Sequence, residues 1–248
     1  MSARLGLPYQ GSKNKIARWV IEQMPSATHF YDLCCGGCAV THAAMLSGKY
    51  KYFHINDINP MWPQMFVDAI NGKYRDERRV ITRQDFKMWK DSDPYVALCW
   101  SFGNNARNYL WGEDVEGVKL AACRMLVADT LSDRRLLYKQ FIKALKAYAG
   151  EVRLSNLQAL QSLERLEALE RLKAADAVTA TSVSYTNVEV EPDAVVYCDI
   201  PYCNTGGYSG INFAMMLFTS GRQQRRGRCI YPSMRCLMIL SASRGEID

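Results

Sequence analysis

The segment FYDLCCGGCAVTHAAM, residues 30–45, decides the fold. An apolar-rich run opens it, the Gly36-Gly37 pair interrupts it, and an Ala-rich stretch at helical spacing closes it. That order predicts a strand, a tight turn and a helix, because glycine supplies the backbone freedom of the turn and the periodicity changes across it. Working outward, IARWVIEQM (16–24) places apolar residues at helical spacing and stops before Pro25, so a helix is predicted. YKYFHIN (50–56) is aromatic and β-branched and predicts a second strand with Asp57 at its end; residues 60–71 predict a helix. VITRQDF (80–86) is predicted as a third short strand ending near Asp85. Strands and helices alternating in this way imply an α/β fold with a mostly parallel sheet.

From 94 to 175 the pattern turns helical. A polar, aromatic loop at 102–112 precedes amphipathic helices predicted over 115–131 and 134–149. Leucine then recurs at every third position from Leu154 to Leu172. That period drifts by about 60° per step around a helix, so it draws no single stripe, although the intervening Ala, Glu, Gln and Arg favour a helix. After Val178 the β pattern returns, and the apolar run 194–198 fits a buried parallel strand leading into Asp199-Ile200-Pro201-Tyr202. The helical block therefore reads as an insertion between strands of one sheet.

The chain has 248 residues, 48% apolar, 23% charged and 11% aromatic, enough to bury a full core. No apolar run reaches the ~18 residues of a membrane helix, and residues 1–15 carry no signal-peptide core. A soluble, intracellular protein is expected. Nine cysteines, at 34, 35, 38, 99, 123, 198, 203, 229 and 236, read as reduced thiols, and no second pair at zinc spacing follows the cluster at 34–38. Net charge is +6, but residues 214–248 hold six Arg against Glu246 and Asp248, so whole-chain charge says little about nucleic acid.

Three acidic residues fall at the predicted carboxyl ends of strands: Asp32, Asp57 and Asp199. That edge is where open parallel sheets bind ligands, and an acid after the second strand is placed to accept a ribose hydroxyl. GxGxxG is absent and Cys38 stands where a phosphate loop wants Gly, which weighs against a dinucleotide cofactor; a purely structural turn is the plain alternative. Asp199-Ile200-Pro201-Tyr202 joins a carboxylate, a backbone carbonyl and an aromatic ring, a group that can bind an exocyclic amine while stacking on a flipped base.

Together these segments resemble the Dam-type DNA-adenine N6-methyltransferase family, in its phage or prophage form. PYQGSKNKI (8–16) is similar to that family's N-terminal cofactor motif, with Ser12 in place of a second Gly. FYDLCCGGCAV (30–40) resembles the segment around S-adenosylmethionine, with Cys38 for a usual Gly. NDIN (56–59) resembles the ribose segment, QDF (84–86) the segment beside the cofactor adenine, and CDIPY (198–202) the catalytic Asp-Pro-Pro-Tyr motif with Ile200 for the first Pro. The resemblance covers residues 8–213. It implies a Rossmann-like methyltransferase domain over 1–93 and 179–213 and a helical target-recognition insertion over 94–178. S-adenosylmethionine would be held by Tyr9, Lys13, Asp32, Gly36, Asp57, Asp85 and Phe86. Asp199 and the Ile200 carbonyl would bind the N6 amine of a flipped adenine, with Pro201 and Tyr202 completing the catalytic motif and Tyr202 stacking on the base. Asn104, Asn105, Arg107 and Asn108 would contact duplex DNA, with Arg134, Arg135, Lys139, Lys143 and Lys146 along its backbone. No metal is implied, His42 and His54 read as ordinary fold residues, and a monomer in the bacterial or phage-infected cytoplasm is expected, serving restriction-modification or regulation.

Residues 214–248 depart from the family's pattern and read as an aberrant basic tail. Met215-Met216 fixes the codons ATG ATG, and reading one base earlier allows an Asp-Ala-Phe-Tyr continuation. A frameshift near residue 213 accounts for this; a basic arm for DNA is the competing reading. Loss of the later strands would leave the strand before Asp199 with an open edge. The alternatives to an active enzyme are thus an inactive remnant that binds DNA or cofactor only, and, less in keeping with the insertion, a methyltransferase of protein amides or RNA.

Overall fold

The structure is a computed structural model that describes residues 4–148, 150, 157–172 and 174–199 together with the two-residue strand 235–236. Its sheet holds β1 (His29–Asp32), β2 (Tyr52–Asn56), β3 (Val178–Thr181), β4 (Ala194–Tyr197) and β5 (Arg235–Cys236), in the order β3-β2-β1-β4-β5. All pairs are parallel: β1 faces β2 from His29↔Tyr52 to Asp32↔Ile55, and faces β4 from His29↔Ala194 to Asp32↔Tyr197. The chain moves outward from β1 through β2 to β3, then returns to the other side of β1 for β4. The strand order reverses between β1 and β4, the position at which open parallel sheets take their ligands.

The chain divides into two compact units. Met1–Gly6, Ser12–Val67 and Leu172–Asp248 form the first, Leu7–Gly11 and Asp68–Arg171 the second. In the first, α1 (Ala17–Gln23) and α2 (Ala39–Ser47) pack together beside the sheet. Strand alternation separates its two faces: Phe30, Phe53 and Ile55 are buried, while His29, Tyr31, Tyr52 and His54 stack ring on ring. His54 fits the plain structural reading: its Nε2 lies 2.9 Å from His29 Nδ1 and its Nδ1 2.6 Å from Thr179 Oγ1. Lys49 Nζ closes the end of α1 by donating to the carbonyls of Ile21 and Met24, both at 2.8 Å. α3 (Met61–Ile70) runs across the boundary between the units.

The second unit is helical: α4 (Arg83–Trp89), α5 (Pro94–Cys99), α6 (Glu113–Leu126), α7 (Leu131–Ala147) and α8 (Gln158–Leu169). Asp93 starts α5 by accepting from the Tyr95 and Val96 amides ahead of Pro94, and Tyr95 to Cys99 are all buried. α6 and α7 pack against each other, and Phe141 is the buried residue of α7. The break between them falls earlier than the periodicity suggests, because Thr130 accepts from Asp133 N–H and starts α7 at Leu131.

Three expectations are corrected. Residues 80–86 form no strand: Thr82 and Asp85 build a reciprocal capping box that opens α4. The place beside β2 goes instead to β3, a four-residue strand with only Val178 buried. The leucine period does give one buried face, since Leu163, Leu166 and Leu169 in α8 span only about 120° in two steps; the chain then tightens into a 3-10 turn at Glu170–Leu172, where a period of three is native. Finally, the outer edge of β4 is paired over Val195 and Val196 by β5. Among the described residues no helix is long and apolar enough to cross a membrane.

Candidate functional site

The carboxyl ends of β1, β2 and β4 bring Asp32, Asp57 and Asp199 to one edge of the first unit. Asp32 is 1% exposed. Thr41 Oγ1 donates to its Oδ2 at 2.7 Å, and its Oδ1 is buried without a protein partner. Burial, and then the Asp199 and Asp57 carboxylates, push its pKa up from 3.8 to about 7 against the pull of Thr41. The folded chain therefore keeps this proton where the unfolded chain has lost it. Its contribution to stability is full below the unfolded value near 4 and is lost as pH rises through about 7. Urea unfolding of the wild type and Asp32→Asn at pH 5 and pH 8 checks this: the wild type should lose stability relative to the variant at pH 8, and parallel pH profiles would contradict it.

Residues 33–38 carry the chain from β1 over the sheet edge into α2. Gly36 (φ 45°) and Cys38 (φ 54°) are both left-handed. A side chain in that conformation costs about 1 kcal/mol, so Cys38 holds a place that suits glycine. The turn is tied to the second strand: Gly36 N–H donates to Asp57 Oδ2 at 2.9 Å, and Cys35 N–H to Asn56 O at 2.9 Å. Asp57 Oδ1 accepts from Asn59 N–H at 3.0 Å. Burial raises the Asp57 pKa against these two backbone bonds. Each Asp57 oxygen thus accepts one backbone N–H and keeps a further lone pair.

Lys13 and Asp199 form an ion pair, Nζ to Oδ2 at 2.5 Å, with both side chains about a quarter exposed or less. Lys13 opens the 3-10 turn Lys13–Lys15, and the Ser12 hydroxyl before it is buried without a protein partner. Ile200, Pro201 and Tyr202 lie outside the described residues.

Three residues of this site were not read from the sequence. Asn56, 2% exposed, ties the strand ends together: its Nδ2 donates to Leu33 O and Val183 O, and its Oδ1 accepts from Val183 N–H and Thr181 Oγ1. An Asn closing an aromatic strand was the signal for it. Thr41 holds Asp32, one turn into α2. Gly6 (φ +68°) lies against the loop, and its N–H donates to His42 Nδ1 at 2.9 Å. No local signal marks Gly6.

Other predicted site residues belong to the second unit. Tyr9 lies in segment 7–11. Asp85 is held by Thr82, whose hydroxyl and amide lower its pKa, and Phe86 is buried against Tyr109. Asn104 (φ 56°) turns inward, its Nδ2 donating to Leu98 O at 2.8 Å and Ser162 Oγ at 3.0 Å. Asn105 Oδ1 accepts from the amides of Arg107 and Asn108. Arg107 and Asn108 are exposed on the resulting loop, which the Ser101–Tyr109 bridge closes.

The donor set fits a cationic nucleoside cofactor. Three carboxylates gather at one sheet edge with the Lys13 ammonium on Asp199, the buried Asp32 Oδ1 has no protein donor, and half-buried Gly36 presents backbone without a side chain. Among the described residues no group of three or more His, Cys, Asp or Glu could hold a metal ion. The family model for D12 class N6 adenine-specific DNA methyltransferase matches residues 9–238. No curated protein matches the chain.

Proposed function

Since the chain belongs to the D12 class N6 adenine-specific DNA methyltransferases, we propose that its first unit moves a methyl group from S-adenosylmethionine to the N6 amine of an adenine flipped out of duplex DNA. The gathering of Asp32, Asp57 and Asp199 around the β1–β4 switch, with Lys13 on Asp199, carries this reading. When bound, the cofactor supplies an electrophilic methyl group on a positively charged sulfur. Asp57 offers its remaining lone pairs to ribose hydroxyls, and Asp32 Oδ1 accepts from the cofactor's ammonium. Gly36 lets the ligand approach the backbone.

Asp199 then works on the nucleophile. The N6 lone pair of adenine is spread into the ring, so the amine attacks poorly. A carboxylate that accepts one of its N–H bonds, with the following carbonyl accepting the other, pins the lone pair toward the methyl carbon. Lys13 holds Asp199 Oδ2 and leaves Oδ1 for that bond. The rate then comes from positioning and preset charge.

To the second unit we assign target recognition. Arg107 and Asn108 are exposed for base or phosphate contacts, and Arg135, Lys139, Lys143 and Lys146 are exposed along α7 at i, i+4, i+8 and i+11, one basic stripe. Asn104 instead holds its own loop. Asn104→Ala should therefore cost about 2 kcal/mol of stability through two lost internal bonds. Arg107→Ala should leave the melting temperature alone and weaken duplex binding, more so at low salt. Thermal unfolding and a salt series of DNA titrations separate the two; an Asn104→Ala protein of wild-type stability would contradict the assignment.

The function is tested by incubating the chain with methyl-labelled S-adenosylmethionine and unmethylated duplex DNA, then digesting to nucleosides. Label in N6-methyladenine is expected. Label in another base, or none from soluble, folded protein, would overturn the reading.

A further inference from the structure

One pair of side chains at this edge has no part in the reaction described. Cys34 Sγ and Cys198 Sγ lie 3.8 Å apart. Cys34 stands two residues past β1 and Cys198 one residue past β4, and the ladder continues toward them through Leu33 N–H to Tyr197 O at 2.9 Å. Tyr31, Leu33 and Val196 pack with Cys198, and Tyr185 and Val188 close over the group. Cys34 is half-buried, whereas Cys198 is 8% exposed. The outer thiol can thus meet a small oxidant and the inner one can resolve it.

We propose that Cys34 and Cys198 form an oxidative modification site, closing into a disulfide when a low-molecular-weight disulfide such as glutathione disulfide is present. Deprotonated Cys34 attacks one sulfur of the oxidant, breaking its S–S bond and expelling one glutathione thiolate. Deprotonated Cys198 attacks the Cys34 sulfur of this mixed disulfide and expels the second. The two cysteines are oxidised and lose two protons; the oxidant is reduced to two glutathiones. A bond of about 2.05 Å requires the sulfurs to approach by about 1.8 Å, within reach of side-chain rotation together with a small shift of the strand ends. The hydrogen bond with Cys198, and then burial, raise the Cys34 pKa, so little thiolate is present at neutral pH and the attack on the oxidant is slow.

The bond has a functional consequence, which rests on the proposed function. Gly36, whose amide holds Asp57, lies two residues from Cys34, and Asp199 follows Cys198 directly. Drawing the two sulfurs together displaces the cofactor turn and the Asp199 carboxylate. A displacement near 1 Å at such a site costs about a hundredfold in rate.

The test treats the full-length chain with glutathione disulfide, blocks remaining thiols, digests without reduction and maps linked peptides by mass spectrometry. Methyl transfer is followed before treatment, after it, and after dithiothreitol. The expected result is a Cys34–Cys198 link, about a hundredfold loss of transfer, and recovery on reduction. Cys34→Ser, compared with its own untreated rate, should not respond to the oxidant, and Cys198→Ser should stop at a glutathione adduct on Cys34. In the wild type, a link between Cys35 and Cys38, a stable glutathione adduct on Cys34, or a linked protein of full activity would overturn the proposal. If the reduced chain transfers no methyl at all, the function reading fails, while the linked peptide still decides whether the pair closes.

Discussion

Replacing Asp199 with Ala is expected to lower methyl transfer about a thousandfold, at the upper end of what one preset electrostatic contact supplies. The carboxylate stands just past β4, facing the sheet switch, with Lys13 Nζ 2.5 Å from its Oδ2. Removing it takes away the acceptor for the N6 hydrogen and leaves an ammonium where a negative charge stood. Stability should barely move, because both partners are partly solvated and such pairs contribute about 0–1 kcal/mol. S-adenosylmethionine binding should remain measurable, since Asp32 and Asp57 are untouched. Asp199→Asn keeps one acceptor oxygen and loses the charge, so its rate should fall between the two. Transfer by Asp199→Ala within about threefold of wild type would remove Asp199 from the mechanism.

Gly6→Ala is expected to cost about 3 kcal/mol or more of unfolding free energy, a large effect for one methyl group. At φ +68° a side chain is already strained. Its Cβ would stand 2.2 Å from Gly37 O, 2.7 Å from Ala39 N and 2.8 Å from Ala39 Cα, all backbone atoms. Neither side can yield without moving the turn at 33–38 or the start of α2. The Gly6 N–H bond to His42 Nδ1 would be disturbed as well. Urea unfolding measures the cost, and cofactor titration shows how much of the displacement reaches the turn. Wild-type stability together with wild-type affinity would contradict this packing.

Most of what is legible in the sequence is local, whereas contacts between distant parts of the chain are not. The β1–turn–α2 segment is legible because its glycines coincide with a change of periodicity, and the placing of Asp32, Asp57 and Asp199 is legible because each stands at or just past the carboxyl end of a strand. The strand expected at 80–86 fails because its β-branched start hides a Thr-x-x-Asp helix start, and capping decides the local structure. β3 escapes notice because a four-residue strand with one buried side chain has no periodicity to detect. Lys13 is marked by the motif at 8–16, but its ion pair with Asp199 is not legible, since it joins distant parts of the chain. Gly6, Thr41 and Asn56 act through contacts that only the folded sheet edge creates. Asn104 shows the converse: a polar residue in an aromatic loop invites a DNA role, while the fold turns it inward to Leu98 and Ser162.

The central claim is that the carboxyl edge of β1 and β2 receives the cofactor. Amide hydrogen exchange of the chain with and without S-adenosylmethionine tests it most directly. Slowed exchange should concentrate in residues 33–38 and 56–59, where the turn and Asp57 meet. Saturating cofactor that leaves both segments unprotected, while protecting another part of the chain, would contradict it.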